Sequence, residues 1–435
     1  MYSSLFTKNR IEELKILKDE KNKLDDPDKQ KILNSIFKNS QVHFIYGAAG
    51  TGKTTLINHI SNLMDDKIKL FLAKTYPAVQ NLRNKIKTKN DKCHFTTIDK
   101  YLNNNVLKSI EWDLIVVDEC SIVENKQIIE ILNTVKDSAL VLSGDTYQIE
   151  AIGYGAWFNM AQKAMPSYCC SELTVPYRAT GTELVKLWKE VREMNDENTV
   201  LEELVQNYYS SPINRDILKK KSKDEIILCL NYNGLYGLNN INRLMQLGNE
   251  NKGVDIDVWK FKIDDPILFN DSERFKPLYN NLKGRILDIK DYEFCVEFII
   301  KVETILKHSD LYLYKGIELL KICEDYSIVQ ISVDRRQPYA SDYDSGGDGH
   351  IVPFQVAYAV SIHKSQGLEY ESVKVVISDE IEDRVNHNIF YTAITRSKQH
   401  LTLYWSPEVC NHILENIRPK DKGKEYFLLK NICKL

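Results

Sequence analysis

The residues best suited to chemistry form one short segment, Gly47-Ala48-Ala49-Gly50-Thr51-Gly52-Lys53-Thr54, followed by Thr55. Its G-x-x-x-x-G-K-[ST] spacing follows an apolar run and precedes a helical pattern, which is the context in which this motif binds phosphates. The glycines let successive backbone amides turn towards an anion, and the start of the helix adds its positive dipole end. Lys53 would then reach the β- and γ-phosphates, and Thr54 would hold Mg²⁺. The segment therefore predicts a nucleoside triphosphate site.

A second group of chemical residues follows two later apolar runs. Leu114–Val117 ends in Asp118 and Glu119, and ligands of parallel sheets bind at the carboxyl ends of the strands. Asp118 is placed to complete the coordination of Mg²⁺, and Glu119 is placed to take a proton from the attacking water. Gln148 lies beyond the end of the next run, where it can contact the γ-phosphate. These side chains predict hydrolysis at the phosphate site.

Parallel strands must position these groups. Short apolar runs alternate with helical patterns between residues 41 and 142, which predicts βαβ units and a doubly wound parallel sheet. The runs are Val42–Tyr46, Ile68–Leu72, Leu114–Val117 and Ala139–Leu142. Upstream, Asp26-Pro27-Asp28 is typical of a helix N-cap followed by proline, and residues 7–24 predict a further, charged helix.

The predicted secondary structure changes twice in the remainder of the chain. Residues 171–250 read as mostly helical with one strand, Glu225–Leu230, and residues 255–350 read as β-rich. The strand-like runs in that stretch and beyond it are Val254–Ile263, Ile286–Ile289, Tyr292–Val302, Val373–Ile377 and Leu401–Trp405. Because strand–helix alternation resumes after Pro353, we expect a discontinuous second sheet domain with a β-rich insertion.

Composition narrows the class of protein. The chain has 435 residues, of which 43% are hydrophobic and 27% charged, so we expect a soluble globular protein of two to four domains. No apolar stretch reaches membrane-spanning length, so no membrane partner is expected. The nine cysteines are dispersed without a C-x-x-C motif, which favours reduced thiols and a cytoplasmic location. The net charge of −3 neither favours nor excludes nucleic acid.

The order of motifs resembles that of superfamily 1 helicases. The phosphate loop, the Asp118-Glu119 strand end and Gly144-Asp145-x-x-Gln148 are followed by three more strings that match. These are Thr174-Val175-Pro176-Tyr177-Arg178, Ile362-His363-Lys364-Ser365-Gln366-Gly367-Leu368-Glu369 and Tyr391-Thr392-Ala393-Ile394-Thr395-Arg396-Ser397-Lys398. The form of the Gly144 motif resembles the RecD-like and Dda-like branch, superfamily 1B.

The resemblance implies further nucleotide contacts. Gln30 resembles the glutamine that recognises adenine, which makes ATP the expected nucleotide. Gly367 and Glu369 resemble nucleotide contacts, the latter to the ribose. Arg178 and Arg396 resemble the two arginines that reach the γ-phosphate from the second domain, where guanidinium groups stabilise the charge of the transferring phosphoryl group. Hydrolysis would then require closure of a cleft between the domains.

The resemblance also implies a track for single-stranded nucleic acid across both sheet domains. Such tracks combine hydroxyls and backbone amides for phosphates with aromatic rings for bases. The candidate contacts are Thr75, Tyr76, Pro77, Thr96 and Thr97 in the first domain and His363 and Lys364 in the second. Trp157 and Tyr177 are further candidates for base stacking.

The expected fold class is α/β, with two RecA-like doubly wound parallel-sheet domains and a small β-rich SH3-like insertion in the second. The expected segments are an N-terminal helical extension (1–26), RecA-like domain 1A with the ATP site (27–170), domain 2A (171–254 and 351–435) and the insertion, 2B (255–350). Branch members that split duplexes carry a β-hairpin between the Thr96-Thr97 motif and the Asp118-Glu119 strand, and this chain has little room for one. Asn270–Asn281 of the insertion is an alternative wedge.

These features predict an ATP- and Mg²⁺-dependent hydrolase that moves 5′→3′ along single-stranded DNA. RNA or an RNA–DNA hybrid is the alternative track, and a protein partner such as a nuclease is compatible with the family. A function from another class is a nucleotide-gated switch or scaffold in a defence complex. Motif strings from both halves favour the motor, because a simple switch needs no cleft between two domains.

Overall fold

The computed structural model describes residues 26–37, 40–86, 92–151, 156–175, 182–220, 222, 224–271, 274–335, 352–380, 385–419 and 427. The chain divides into two compact units. Unit 1 comprises Met1–Pro212 and Gln366–Leu435, and unit 2 comprises Ile213–Ser365. The helix predicted over residues 7–24 lies outside the described residues.

Unit 1 contains a six-stranded parallel sheet in the order β3-β2-β4-β5-β1-β6. Its strands are β1 (Val42–Gly47), β2 (Lys69–Ala73), β3 (Cys93–Thr97), β4 (Leu114–Asp118), β5 (Ala139–Gly144) and β6 (Cys170–Leu173). All four predicted runs form strands, and they occupy the inner positions, where both faces are buried. The two strands that apolar content did not predict, β3 and β6, lie at the edges and are only partly buried.

Helices cover both faces of this sheet and close two hydrophobic cores. They are α1 (Pro27–Ser35), α2 (Lys53–Leu63), α3 (Tyr76–Lys85), α4 (Ile98–Leu102), α5 (Asn105–Ser109), α6 (Asn125–Thr134) and α7 (Trp157–Ala164). Successive strand residues point to opposite faces, so Phe71 enters one core and Leu70 and Leu72 the other. Helix α1 begins as predicted, because the Asp26 carboxylate accepts hydrogen bonds from two amides of the first turn.

The segment between Thr97 and Leu114, all of it described, forms α4 and α5 and no strand. The Thr97 side chain caps α4 and the Asn104 side chain caps α5. The prediction that no hairpin fits here is therefore confirmed.

The rest of unit 1 is a second parallel arrangement with its own helices. Strand β19 (Ser397–Tyr404) pairs with β18 (Tyr370–Val376) and with the short β7 (Ser210–Ser211). The helices are α8 (Thr182–Glu193), α9 (Glu197–Gln206), α12 (His387–Ile394) and α13 (Pro407–Asn416). The indole nitrogen of Trp188 donates to the carbonyl of Ile394, and the His387 imidazole lies 2.7 Å from the carbonyl of Val191. These two contacts join α8 to α12.

Unit 2 combines a parallel strand pair, a hairpin and an antiparallel sheet. Strand β8 (Glu225–Cys229) pairs with β17 (Ala359–Ser361), and β9 (Gly253–Ile256) pairs with β10 (Trp259–Lys262). The six-stranded sheet runs β14-β15-β13-β12-β11-β16. Its strands are β11 (Pro266–Phe269), β12 (Lys283–Asp291), β13 (Cys295–Val302), β14 (Ile317–Ile322), β15 (Ser327–Asp334) and β16 (Phe354–Val356); helices α10 (Leu238–Leu247) and α11 (His308–Leu311) complete the unit.

One prediction for unit 2 is wrong in detail. The run Val254–Ile263 is a hairpin rather than one strand, because Asp257 takes a positive φ of 54° and reverses the chain. Within Asn270–Asn281, the side chains of Phe275 and Leu278 are buried at 1% and 0% exposure. These two side chains pack in the interior of the unit, and a wedge in this segment stays a prediction.

No helix among the described residues is long and apolar enough to span a membrane.

Candidate active site

The chemical residues of the first sheet meet at one edge because its strands run parallel. Ala73 of β2 pairs with Thr97 of β3 on one side and with Asp118 of β4 on the other. In the other half, Tyr46 pairs with Gly144, so β1 and β5 also end level. This register brings the phosphate loop and the Asp118-Glu119 strand end to the same edge.

The phosphate loop has the conformation that its glycines predict. Gly50 and Gly52 have φ values of 76° and 81°, and Gly52 is the N-cap of α2. A Cβ atom on Gly47 would lie 2.7 Å from the Thr51 hydroxyl, so only glycine fits there. The Lys53 ammonium donates hydrogen bonds of 2.7 and 3.0 Å to the carbonyls of Gly47 and Ala48. The loop is therefore closed around the ammonium group that would bind phosphate oxygens.

An open pocket of about 620 Å³, a volume that includes solvent at its mouth, lies at this edge. It is lined by predicted residues from the whole of unit 1, namely Ala49, Gly50, Lys53, Thr54, Asp118, Glu119, Gln148, Gly367, Glu369 and Arg396. Ala78, Asn81, Lys85, Ser121, Gly144 and Asp145 complete the lining. Gln30 is not among the lining residues; it lies half-buried on α1.

Glu119 has the environment of a proton acceptor. Its backbone is left-handed (φ 55°, ψ 41°), an uncommon conformation for glutamate that is typical of strained functional positions. Glu119 is half-buried, and its Oε2 atom is fully buried with no hydrogen-bond partner among the described residues. Burial and the neighbouring Asp118 raise its pKa to about 7, against the opposing effect of Arg396 and Lys53.

Arg396 lies in the pocket as a buried cation, 4% exposed. Its Nε donates to the carbonyl of Thr392 at 3.0 Å and its Nη1 to the carbonyl of Leu368 at 3.3 Å. These bonds orient the guanidinium from the end of α12. Glu119 and Arg396 are close enough for Arg396 to lower the pKa of the carboxyl group.

The turn that carries Gln148 is attached to α12 through its backbone. The side-chain amide of Asn388 donates to the backbone carbonyl of Gln148 at 2.7 Å. The backbone amide of Ile149 donates to the Thr392 hydroxyl at 2.9 Å. The Tyr391 hydroxyl lies 3.5 Å from the amide of Ala49 in the phosphate loop. Helix α12, which ends two residues before Arg396, therefore contacts both the Gln148 turn and the phosphate loop.

Gly367 connects the pocket to the candidate nucleic-acid contacts. Its φ is +75°, and a Cβ atom there would lie 3.4 Å from the Glu119 carboxylate, from the Thr75 hydroxyl and from the Ala78 amide. Asn81 of α3 donates to its carbonyl at 2.6 Å. Sequence reasoning identified Gly367, Thr75 and Glu119 but missed Asn81.

Thr54 and Asp118 line the same pocket, and a hydroxyl with a carboxylate is the donor set that Mg²⁺ prefers. The residues present therefore fit the ion. Thr55 follows on α2 and is not among the residues that line the pocket.

The candidate track residues fall into both units. Thr75 and Thr97 cap α3 and α4, while Pro77 is buried and Tyr76 half-buried at the start of α3. The hydroxyl of buried Thr96 has no partner among the described residues. In unit 2, His363 and Lys364 lie on a short 3₁₀ turn, where Lys364 donates to Gln355.

The other predicted contacts differ in whether the structure describes them. Arg178 and Tyr177 lie outside the described residues, so their roles stay predictions. Trp157 donates from its indole nitrogen to the carbonyl of Val123 and packs edge-on against Phe158. It is half-buried against the core on one face of the first sheet, and its role in base stacking stays a prediction.

Two family models match the chain. A model described as an AAA domain matches residues 26–208, which carry the phosphate loop and Glu119. A model described as a UvrD-like helicase C-terminal domain matches residues 356–404, which carry Gly367 and Arg396. The two halves of the pocket thus match two models of different description.

Curated relatives align over most of the chain at low identity. An uncharacterized protein of Methanocaldococcus jannaschii is 23% identical over 89% of this chain, which spans 39% of that relative's length. The RecD subunit of the RecBCD enzyme of Haemophilus influenzae is 22% identical over 92% of this chain and 72% of that one.

Solved structures of helicases share the fold. The Pif1 helicase from Bacteroides in complex with ADP-AlF3 and single-stranded DNA has a TM-score of 0.58 at 15% identity, covering 94% of this chain and 98% of that one. Pif1 from Candida albicans has a TM-score of 0.56 at 16% identity, covering 94% and 100%. The predicted fold class, two RecA-like parallel-sheet domains with a β-rich insertion, is confirmed.

Proposed function

We propose that this chain, a member of superfamily 1B of the helicases, is an ATP-driven motor that moves 5′→3′ along single-stranded DNA. The observation that carries the proposal is a single pocket that joins Lys53, Glu119 and Arg396. A phosphate-binding lysine, a buried carboxylate and a buried guanidinium are the groups that phosphoryl transfer to water requires. The direction of movement rests on the family resemblance.

The chemistry follows from the environment of each side chain. Lys53 and the loop amides bind the phosphates, and Glu119 orients the attacking water and accepts its proton. A pKa of about 7 suits this task, because about half of the carboxyl groups are ionised at neutral pH and the carboxylate is basic enough to take a proton. Arg396 stabilises charge on the transferring phosphoryl group. A magnesium ion held by Thr54 and Asp118 would neutralise charge on the phosphate oxygens.

Coupling to movement follows from where Arg396 is attached. It lies two residues beyond the end of α12, whereas Lys53 begins α2 and Glu119 follows β4 at the edge of the first sheet. Efficient hydrolysis therefore depends on the fit between α12 and that sheet, so ATP binding and release of products can drive a change in their separation. Because Gly367 lies between Glu119 and Thr75, with room for no more than a Cβ atom at van der Waals distance from both, the same change can reach the start of the candidate track.

Single-stranded DNA is the proposed track because Pif1 structures of this fold were solved with it. Thr75, Thr96, Thr97, His363 and Lys364 are its proposed contacts. The RecD relatives are subunits of a larger enzyme, so we propose a protein partner such as a nuclease for this chain as well. A cytoplasmic location agrees with its dispersed free cysteines.

The deciding experiment measures ATP hydrolysis with oligo-dT, with oligo-U and without nucleic acid. A large stimulation by oligo-dT is expected, and displacement of streptavidin from either end of a biotinylated oligonucleotide reads the direction. Preferential stimulation by oligo-U would instead indicate an RNA-directed motor. Slow hydrolysis that neither polymer stimulates would indicate a nucleotide-gated switch.

A further inference from the structure

Arg192, near the end of α8, lies against the turn that carries Gln148 but belongs to none of the recognised motifs. Its Nε is 4.0 Å from the Asp145 carboxylate, and its guanidinium carbon lies 4.5 Å from the centre of the Tyr147 ring. Its Nη2 donates to Glu172 at 3.1 Å. Asp145 and Arg192 are strongly buried, with side-chain exposures of 1% and 13%.

The ion pair between these residues is incomplete. The Oδ2 atom of Asp145 and the Nε atom of Arg192 are both buried without a hydrogen-bond partner among the described residues. Unpaired buried polar atoms are costly, and unpaired charged ones more so. A relative shift of about 1 Å would bring the two groups from 4.0 Å to hydrogen-bonding distance. A closed arrangement of the pair would therefore satisfy charged groups that are incompletely paired here.

Asp145 and Gln148 both line the pocket, and the sequence predicts that Gln148 contacts the γ-phosphate. Asp145 and Gln148 are joined by a backbone hydrogen bond of 3.3 Å across one tight turn. A displacement of Gln148 is therefore transmitted to Asp145.

On the other side, α8 is fixed to the helix that carries the catalytic arginine. Trp188 bonds to the Ile394 carbonyl, and the Val191 carbonyl contacts His387. Arg192 follows Val191 directly, so a force on its guanidinium acts on α8 and α12 together. Arg396 lies two residues beyond the end of α12.

We propose that Arg192 is a positioning residue, whose ion pair with Asp145 closes when Gln148 engages the γ-phosphate and thereby draws α8 and α12 towards the pocket. Arg192 touches no reacting atom. When nucleotide occupies the site, the closed ion pair of Arg192 moves Arg396 into position. This inference rests on the proposed motor function.

The test compares Arg192→Gln with the wild type in single-strand-stimulated ATP hydrolysis. The substitution keeps a polar group of similar reach but removes the charge. Stimulated kcat is expected to fall at least fivefold, while KM for ATP stays within twofold. The ratio of the Kd values for oligo-dT measured with ADP and with a non-hydrolysable ATP analogue should also move towards one. A merely structural role would not change that ratio.

Matched variants make the test specific. Glu172→Gln removes the other partner of Arg192 and should keep full stimulation. Asp145→Asn should lose stimulation, and the double variant Asp145→Asn/Arg192→Gln should be no worse than the poorer single one, because both remove the same pair. Losses that multiply would overturn the proposal.

The outcomes separate this inference from the function on which it rests. If oligo-dT does not stimulate the wild type, the motor function fails. If it stimulates the wild type and Arg192→Gln equally, the inference alone fails. Should Arg192→Gln melt below the assay temperature, Asp145→Asn decides, since it keeps the size of the side chain but removes the charge that the ion pair needs. Full stimulation of that variant would contradict the proposal.

Discussion

The side-chain amide of Asn81 donates a hydrogen bond of 2.6 Å to the carbonyl oxygen of Gly367. Asn81 belongs to α3, which begins at the candidate DNA contact Thr75, and Gly367 lies against the carboxylate of Glu119. The bond therefore holds the Gly367 backbone in place between the candidate track and the proton acceptor.

Asn81→Ala should weaken the communication between DNA and hydrolysis. A hydrogen bond of this kind contributes about 1 kcal/mol, so we expect stimulated kcat to fall about fivefold with ATP binding little changed. Gln80→Ala on the same helix is the control, because Gln80 does not line the pocket. Equal behaviour of the two variants in the oligo-dT assay would contradict the prediction.

Lys53→Ala and Glu119→Gln should fail at different steps. Without its ammonium group, the Lys53 variant should lose binding of Mg²⁺·ATP. The Glu119 variant should still bind ATP, but its kcat should fall about 10²–10⁴-fold because the proton acceptor is gone. Equilibrium binding of a fluorescent ATP analogue and steady-state turnover separate the two effects. Near wild-type turnover of Glu119→Gln would exclude the assigned role.

The pH dependence of hydrolysis should report Glu119. Its pKa is raised to about 7, and only the ionised carboxylate accepts a proton. Hydrolysis should therefore be fully active above this pKa, half-active near it and slower by about tenfold for each pH unit below it. The measurement is kcat from pH 5.5 to 8.5 at saturating ATP and oligo-dT. The residual activity of Glu119→Gln should lack this acidic limb.

Arg396→Ala should lower kcat far more than ATP affinity, because its contact with the phosphoryl group strengthens in the transition state. Arginines in this role contribute about 10³–10⁵ in rate. Arg418→Ala is a suitable control, since Arg418 lies beyond α13 and pairs with Glu197 at the surface. An unchanged kcat for Arg396→Ala would exclude the role.

Motif residues could be identified from sequence because each motif contains both the reactive side chains and the neighbouring residues that place them. Gly50, Gly52 and Lys53 act through local backbone geometry, and Asp118-Glu119 is placed by the strand that precedes it. For this reason the predicted pocket residues from Ala49 to Arg396 converge. Six predicted nucleotide contacts do not line the pocket, and their roles stay predictions: Gln30, Gly47, Ala48, Thr51, Gly52 and Thr55.

The contacts between distant segments could not be predicted in this way. These contacts form only because segments far apart in the chain meet near the pocket, as they do for Asn81, Asn388 and Arg192. Nothing in the spacing of a single asparagine or arginine on a helix indicates such a partner. The edge strands β3 and β6 were missed for a related physical reason, because their pairing lies on one side and their apolar content is correspondingly low.

Strand separation depends on a part that blocks one strand while the motor pulls the other. Branch members place a hairpin between the motifs that correspond to Thr97 and Leu114, whereas this chain has α4 and α5 there. Within the alternative wedge Asn270–Asn281, the side chains of Phe275 and Leu278 are buried. Unit 2 does expose aromatic side chains at two hairpin turns, with Trp259 44% and Phe294 49% exposed.

We therefore expect robust ATP hydrolysis and single-strand translocation but weak unwinding by the isolated protein. Streptavidin displacement measures translocation, and a forked duplex of about 20 base pairs measures separation. Any residual unwinding should be lost in Trp259→Ser or Phe294→Ser with translocation intact, because an exposed ring can stack on the last base pair of a junction. Tyr312→Ser, in an exposed turn beside α11, is the control. Fast unwinding of long duplexes by the protein alone would show that the helical segment α4–α5 separates strands without a hairpin, and the prediction would be wrong.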